Sequence, residues 1–428
     1  MSQHKNVALL LTGNELMSGD TVDSNSSRIA LALGERQIAV SKKITVGDDP
    51  ALLRTSLGEL CREAGVVIIN GGLGPTEDDL TAEIVAEVAG EQLADHPDAI
   101  AHLEEWCEKR GLELNASNLK QAHLPASADL VDNPIGSAVG FAVEIEGCLV
   151  ITTPGVPVEL TAMLPEICER IGARVGSGTT YIRRLQTFGI GESTIQELVN
   201  ARSSDWPEGV VLGFRSGLPQ LELKLQVYDE SLLEARDRAE TLLTELIGDH
   251  IIGEDSDQLA MALQRALIEQ DMSVTTAESC TGGLIASLIT KEAGSSQVFG
   301  AGFVTYANAS KQKVLDVPES ELNSHGAVSE PVVRSMLRGA LNKASADIGI
   351  AVSGVAGPGG GTEEKPVGTV WLAWGTETKN DAIRLQIPGS RERFQILVAA
   401  IGLDLMRRQV LNLPPIPHYI KRFVYRNA

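Results

Sequence analysis

The chain has 428 residues, 36 Lys and Arg against 57 Asp and Glu, and a formal net charge of −21. At roughly 150 residues per domain the length predicts about three domains, and a composition of 43% hydrophobic and 22% charged residues excludes a disordered chain. An acidic chain without a basic run is not built for duplex DNA, but it can hold small phosphorylated substrates, because a few amides at a helix start bind one phosphate whatever the net charge.

Val7–Thr12 reads as a strand, Asn25–Leu33 as a helix, Lys42–Val46 as a strand, Pro50–Cys61 as a helix and Val66–Asn70 as a buried strand. This alternation predicts an α/β fold with a mainly parallel sheet whose ligand loops follow the carboxyl ends of strands. Three unusual loops follow strands and predict one cleft: Thr12-Gly13-Asn14-Glu15, Gly71–Thr81, and Thr153–Pro157 after the strand Cys148–Thr152. In Gly71-Gly-Leu-Gly-Pro-Thr-Glu-Asp-Asp-Leu-Thr81 the glycines let backbone approach an anionic ligand, and Asp78 and Asp79 are candidate carriers of a divalent cation. A tight turn with an Asp/Thr helix cap is the plainer alternative.

From about 180 to 250 the texture changes: Leu221–Val227 alternates at period two, and Ser231–Ile247 carries an apolar helical stripe. A small α+β middle domain is the expectation. Beyond Asp255, Leu259, Leu263 and Leu267 mark a helix with Ser256 as candidate N-cap. There follow a strand (Ser273–Ala277), a glycine turn, a helix (Leu284–Lys291), a strand (Gly300–Tyr306), a helix opening at Ser329 and a strand (Ile348–Val352). The Pro-rich tail after Leu413 reads as extended.

Ala277-Glu-Ser-Cys-Thr-Gly-Gly283 places Ser279 and Cys280 between a strand end and a helix start, where the helix N-terminus favours developing negative charge. Ser279 as a mere helix cap and Cys280 as a buried filler are the alternatives. A serine needs a base. Lys311 serves if burial or a neighbouring cation lowers its pKa by about 3 units, and the Tyr306 hydroxyl can relay or orient the proton. His325 is the rival base. Ser353-Gly-Val-Ala-Gly-Pro-Gly-Gly-Gly361 has five glycines in nine residues directly after a strand and reads as a phosphate or ribose cradle. It lacks G-x-x-x-x-G-K-[ST], so it is no NTPase P-loop.

No apolar stretch nears the roughly 18 residues of a membrane span, and the N-terminus has no signal-peptide layout. The five cysteines are scattered without a C-x-x-C pair, which argues against a disulfide framework or a zinc knuckle and for a cytoplasmic protein.

These motifs resemble the CinA (competence/damage-inducible) family along the whole chain. The first half is similar to the molybdopterin-binding fold through Gly71–Thr81, Val46-Gly-Asp-Asp49, Asn118-Leu-Lys-Gln-Ala122 and Pro154-Gly-Val-Pro-Val-Glu159. The last half resembles the nicotinamide-nucleotide amidase (PncC-type) domain through Ala277–Gly283, Gly302–Tyr306 with Lys311, His325–Ser329, Ser353–Gly361 and Lys365–Thr369. The implied boundaries are 1–172, 173–253 and 254–415, with a tail from 416 to 428. The implied activity is deamidation of nicotinamide mononucleotide to the nicotinate nucleotide and ammonia, a pyridine-nucleotide salvage step that needs no cofactor. Ser279 is then the nucleophile, Lys311 the base and Tyr306 a supporting hydroxyl. Cys280, Thr281, Gly282, Gly283, Ser353, Gly354, Gly357, Gly359, Gly360 and Arg391 bind substrate. Of the usual two-arginine pattern, Gly389-Ser-Arg391 fits, but the second position holds Gln395.

For the first half the resemblance implies, in some members, metal-dependent hydrolysis of ADP-ribose. Its site is carried here by Glu15, Asp48, Gly71, Gly72, Gly74, Thr76, Asp78, Asp79, Asn118 and Lys120, with Glu15, Asp78 and Asp79 on the divalent cation. Asn14 stands where an acidic residue is usual. A nucleotide- or pterin-binding scaffold without turnover is the alternative for that half. The expected partners are small nucleotides, without nucleic acid or membrane, and the resemblance implies a homodimer.

Overall fold

In the computed structural model, which describes residues 6–424, the chain divides into two compact units, 1–181 with 228–230 and 182–227 with 231–428. The four-stranded piece expected as a middle domain falls within the second unit. No helix among the described residues is long and apolar enough to cross a membrane. All five cysteines are free and buried.

The first unit contains β1 (Val7–Thr12), β2 (Val40–Val46), β3 (Val66–Asn70), β4 (Leu93–Asp95), β5 (His123–Pro125), β6 (Asp129–Val131), β7 (Gly140–Ile145) and β8 (Cys148–Thr153). Six of these form a sheet in the order β2-β1-β3-β8-β7-β6. The pairs β1/β2, β1/β3 and β3/β8 are parallel, and the β6–β7–β8 edge is antiparallel. β1 and β3 are buried along their whole length, because helices cover both faces. Leu53, Leu57 and Leu60 of the Pro50–Glu63 helix pack with Ala8 and Leu10 on one side, and Leu160, Met163 and Ile167 of the Pro157–Val175 helix pack with Leu9 and Leu11 on the other.

Parallel register brings the ends of β1, β3 and β8 level, so the three loops that follow leave the sheet together. Asn70, buried at the end of β3, ties them: its Nδ2 donates to Thr153 Oγ1 (3.0 Å) and the Pro154 carbonyl (2.7 Å), and its Oδ1 accepts from Asn25. Gly71 must be glycine. It sits at φ +113°, and a Cβ there would stand 2.6 Å from the Thr12 carbonyl oxygen.

The second unit begins with β9 (Tyr181–Thr187), β10 (Val211–Ser216), β11 (Leu221–Val227) and β12 (Ile251–Glu254), in the sheet order β10-β11-β9-β12. Next come β13 (Val274–Glu278), β14 (Phe299–Val304), β15 (Ile348–Gly354), β16 (Thr369–Gly375) and β17 (Asn380–Gln386), in the order β14-β13-β15-β16-β17. β13 runs parallel to β14 and β15, whereas β15/β16 and β16/β17 are antiparallel. The Arg391–Val410 helix is buried over most of its length and packs on this sheet through residues such as Val398, Ile401 and Leu405.

Several expectations shift. The strand read as Gly300–Tyr306 ends at Val304, and Thr305 and Tyr306 lie beyond it. Ser353 belongs to β15, because antiparallel β16 extends the ladder and pairs Trp371 with it. The N-cap position of the Leu259–Glu269 helix is Gln258, not Ser256. The tail folds into a short 3-10 turn, His418–Arg422, that buries Tyr419 and Ile420.

Candidate active site

β13 ends at Glu278, and the chain turns through Ser279–Gly283 into the Leu284–Thr290 helix. Glu278 is fully buried and fills that helix N-terminus. It accepts from the Thr281 hydroxyl (2.7 Å) and from the amides of Gly283 (3.0 Å), Ile285 (3.0 Å) and Ala286 (2.8 Å). A carboxylate on several amides at the positive end of a helix is strongly held. The expectation that the helix start itself would meet developing charge is thereby corrected, since its amides are occupied. Among the described residues, the amides of the turn that donate to no other residue are those of Cys280 and Thr281.

Ser279 and Lys311 meet across this turn. The Asn308–Leu315 helix, whose N-cap position is Ala307, aims Lys311 back under Ser279. Lys311 is 1% exposed, and its Nζ lies 3.0 Å from Ser279 Oγ, 2.7 Å from the Thr305 carbonyl and 3.2 Å from the Tyr306 carbonyl. The two carbonyls can only accept, so a neutral amine donates its two N–H groups to them and keeps its lone pair for the serine hydroxyl. An ammonium would also be satisfied there, so a proton can pass between Oγ and Nζ without heavy atoms moving. Burial depresses the Lys311 pKa from its ordinary 10.5 to about 8. Cys280 is buried beside it, and burial pushes its thiol up to about 12, so it is no thiolate at neutral pH.

The Tyr306 hydroxyl lies apart from this pair. Its ring is exposed and its oxygen accepts from Arg391 Nη2 (3.1 Å); what Tyr306 offers Lys311 is its backbone carbonyl. Arg391 opens the Arg391–Val410 helix and also donates from Nη1 to the Gly357 carbonyl (2.9 Å), which joins the glycine loop to the serine side of the sheet. Gln395 donates to the Cys280 carbonyl (2.8 Å) and so braces the turn instead of presenting a second cation. Gly357 and Gly360 have positive φ and Gly359 has open space where a Cβ would go, whereas Gly354 is required by the fold, its Cβ position lying 2.6 Å from the Thr369 carbonyl. Gly282 and Gly283, at φ +65° and +100°, form the turn itself. His325 is exposed at the end of its helix and makes no hydrogen bond to Ser279. Glu278 and Gln395 escaped the sequence reading as site residues; an acid directly between a buried strand and a helix start was the available signal for the first.

In the first unit Glu15, Asp48, Gly71, Gly72, Gly74, Asp78 and Asp79 border one cavity of about 370 Å³, together with residues of the Pro154–Val156 loop and Glu159. Thr76, Asn118 and Lys120 are not part of that lining. Lys120 instead donates to the carbonyls of Thr76 (2.6 Å) and Asp79 (2.9 Å) and clamps the glycine turn, and Asn118 sits in the short Ala116–Leu119 helix. The carboxylates have local partners: Asp48 accepts from Thr12 Oγ1 and the Asn14 amide, Asp79 from the Thr76 amide and hydroxyl, and Asp78 from the same hydroxyl, which holds Asp78 below its ordinary pKa. Among the described residues no three His, Cys, Asp or Glu side chains come together as a metal-binding group. Glu15, Asp78 and Asp79 therefore share a cavity without forming the ligand set expected of them.

Residues 256–410 match the family model "CinA C-terminal domain", and residues 8–173 match "Probable molybdopterin binding domain". A CinA-like protein of Colwellia psychrerythraea is 50% identical over 419 residues, 97% of each chain. A protein of Shewanella oneidensis called nicotinamide-nucleotide amidohydrolase PncC is 37% identical over 417 residues, 96% of this chain and 97% of its own. The solved structure of a competence-damaged protein (CinA) superfamily member from Klebsiella pneumoniae, 36% identical, matches 36% of this chain and 96% of its own with a TM-score of 0.35. Two domain models in order and whole-length identity of this degree place the chain in one family: it belongs to the CinA family.

Proposed function

We propose that the second unit hydrolyses the carboxamide of nicotinamide mononucleotide, releasing ammonia and the nicotinate nucleotide. The observation that carries this reading is the buried Lys311 amine 3.0 Å from Ser279 Oγ. The neutral amine takes the hydroxyl proton as Oγ bonds to the carboxamide carbon. The electron pair of the C=O moves onto oxygen, and the unbonded amides of Cys280 and Thr281 are the donors assigned to it. When the carbonyl re-forms, the C–N bond breaks and the nitrogen takes the Lys311 proton to leave as ammonia. Lys311 then deprotonates a water, which attacks the serine ester. The acid departs and Ser279 regains its proton.

The nucleotide phosphate is assigned to Arg391 at the start of its 20-residue helix, where the guanidinium charge and the helix dipole favour an anion. The relative named as an amidohydrolase of this substrate class supports the assignment. Ammonia release from nicotinamide mononucleotide by the wild type beside Lys311→Ala tests it: the variant should release none above background. Equal release by both would remove the proposed base.

For the first unit, the cavity with five Asp and Glu side chains on the loops after strands favours a binding cleft for a small polar ligand. Asp48, Asp78 and Asp79, held by local donors, do not fit a preformed cation cage, and no step is routed through a metal there. AMP production from ADP-ribose with magnesium or cobalt tests turnover at this cleft; no AMP is expected.

A further inference from the structure

The four-stranded sheet of the second unit has one face packed under the Leu233–Ile247 helix and a second, polar face. Along β11 the odd residues Leu221, Leu223, Leu225 and Val227 are buried on the first face, which directs Glu222 and Lys224 to the other. On that polar side lies a cavity of about 670 Å³, lined by Arg184 and Gln186 of β9, Arg215 of β10, Glu222 of β11, and Gln220 and Asp255 from the loops. It shares no residue with the serine site, and its volume falls within the range of small-molecule sites, roughly 300–1,000 Å³.

Among the buried polar side-chain atoms of its described lining, one accepts no hydrogen bond. Gln220 donates to Gln186 Oε1 (3.4 Å) and the Asp257 carbonyl (3.0 Å) and accepts from the Leu259 amide (3.3 Å). Gln186 donates to the Asp255 carbonyl (2.6 Å) and to Glu222 Oε2 (3.3 Å). This chain of amides fixes the Glu222 carboxylate, which is 8% exposed, yet its Oε1 accepts no hydrogen bond and is met only by an ion pair to Lys224 Nζ at 3.6 Å. A buried carboxylate oxygen without a hydrogen-bond donor is costly. Directly across the ladder Arg215 faces Glu222, and its guanidinium makes neither a hydrogen bond nor an ion pair among the described residues. A carboxylate short of one hydrogen-bond donor and an unpaired guanidinium on neighbouring strands, not paired with each other, are completed by a molecule that brings both an anion and hydrogen-bond donors.

We infer that this cavity is a binding site, separate from the serine centre, for a small phosphorylated sugar or mononucleotide. The phosphate lies on Arg215, with Arg184 at the same wall, and sugar hydroxyls or a base amino group donate to the Glu222 carboxylate. A polyanion is disfavoured, because a chain of net charge −21 with so few cations here neutralises one phosphate and not a backbone of them.

The experiment is calorimetric titration of the full-length Ser279→Ala protein, which prevents turnover, with ribose 5-phosphate, AMP and inorganic phosphate. Saturable binding of ribose 5-phosphate or AMP is expected. Arg215→Ala, an exposed change that spares the core, should weaken it about tenfold, as loss of one charge-assisted contact does. Glu222→Gln should weaken it also, while inorganic phosphate, which lacks the sugar donors, binds less tightly. AMP binding tighter than ribose 5-phosphate would assign a nucleotide; equal affinities would assign the sugar phosphate. Binding that is absent, or unchanged in both Arg215→Ala and Glu222→Gln, overturns the site, whatever the ammonia assay shows.

Discussion

The two strand-end sites of this chain are built by the same topological rule and finished in opposite ways. Both lie where parallel strands end and a glycine turn leads on, at β1, β3 and β8 in the first unit and at β13 and β15 in the second. In the first, charge stays near the surface: the carboxylates line an accessible cavity and lean on threonine hydroxyls and backbone amides. In the second, charge is taken inside: Glu278 and Lys311 are both almost fully buried, and burial is what brings the lysine into the range of a neutral base. Open, locally satisfied charge suits binding, whereas desolvated charge with one protonatable neighbour suits proton transfer.

The contrast is broken most sharply at the nucleophile. Ser279→Ala should lower ammonia release on the order of 10³-fold or more, while Cys280→Ala, removing a protonated buried thiol, should leave it within a few-fold. The reverse outcome would make Cys280 the nucleophile.

Glu278→Gln comes next. The new amide NH2 would face either the Ala286 amide or those of Gly283 and Ile285, so urea unfolding of the second unit should show a loss of about 1–3 kcal/mol. Activity should fall because the Ser279–Gly283 turn loses its anchor. An unchanged urea midpoint would remove the anchoring role.

Arg391→Ala should raise KM for nicotinamide mononucleotide about tenfold with little change in kcat, since the side chain binds beside Tyr306 and not on the reacting pair. A fall in kcat alone would move Arg391 into the chemistry. The smallest effect belongs to the other cleft: Asp78→Asn with Asp79→Asn should leave ammonia release within about twofold, as independent sites do. A large loss would mean that the two units share one activity.

Much of this was legible in the residues. β1 and β3 were found residue for residue, because a run such as Val-Val-Ile-Ile-Asn, apolar without alternation, is what a doubly covered parallel strand looks like. Ser279 and Lys311 were nameable because a small hydroxyl between strand and helix, followed by a strand end and a lysine, limits the chemistry. What the order of residues hid was depth and direction. The antiparallel edge strand β17, with Asn380, Asp381 and Arg384 among its apolar residues, carries no such signature. The role of Glu278 depends on where three later amides point, and Tyr306 turns its hydroxyl outward because β14 stops before it. Gln395 was read as a missing arginine, whereas its amide reaches the Cys280 carbonyl.

The proton path is tested most directly by the pH dependence of kcat/KM for ammonia release from nicotinamide mononucleotide. With Lys311 as base, the rate constant should climb about tenfold per pH unit on the acid side and level off near pH 8, where the buried amine loses its proton. A profile flat from pH 6 to 9, or one levelling near pH 6.5 as a histidine would impose, would contradict the account.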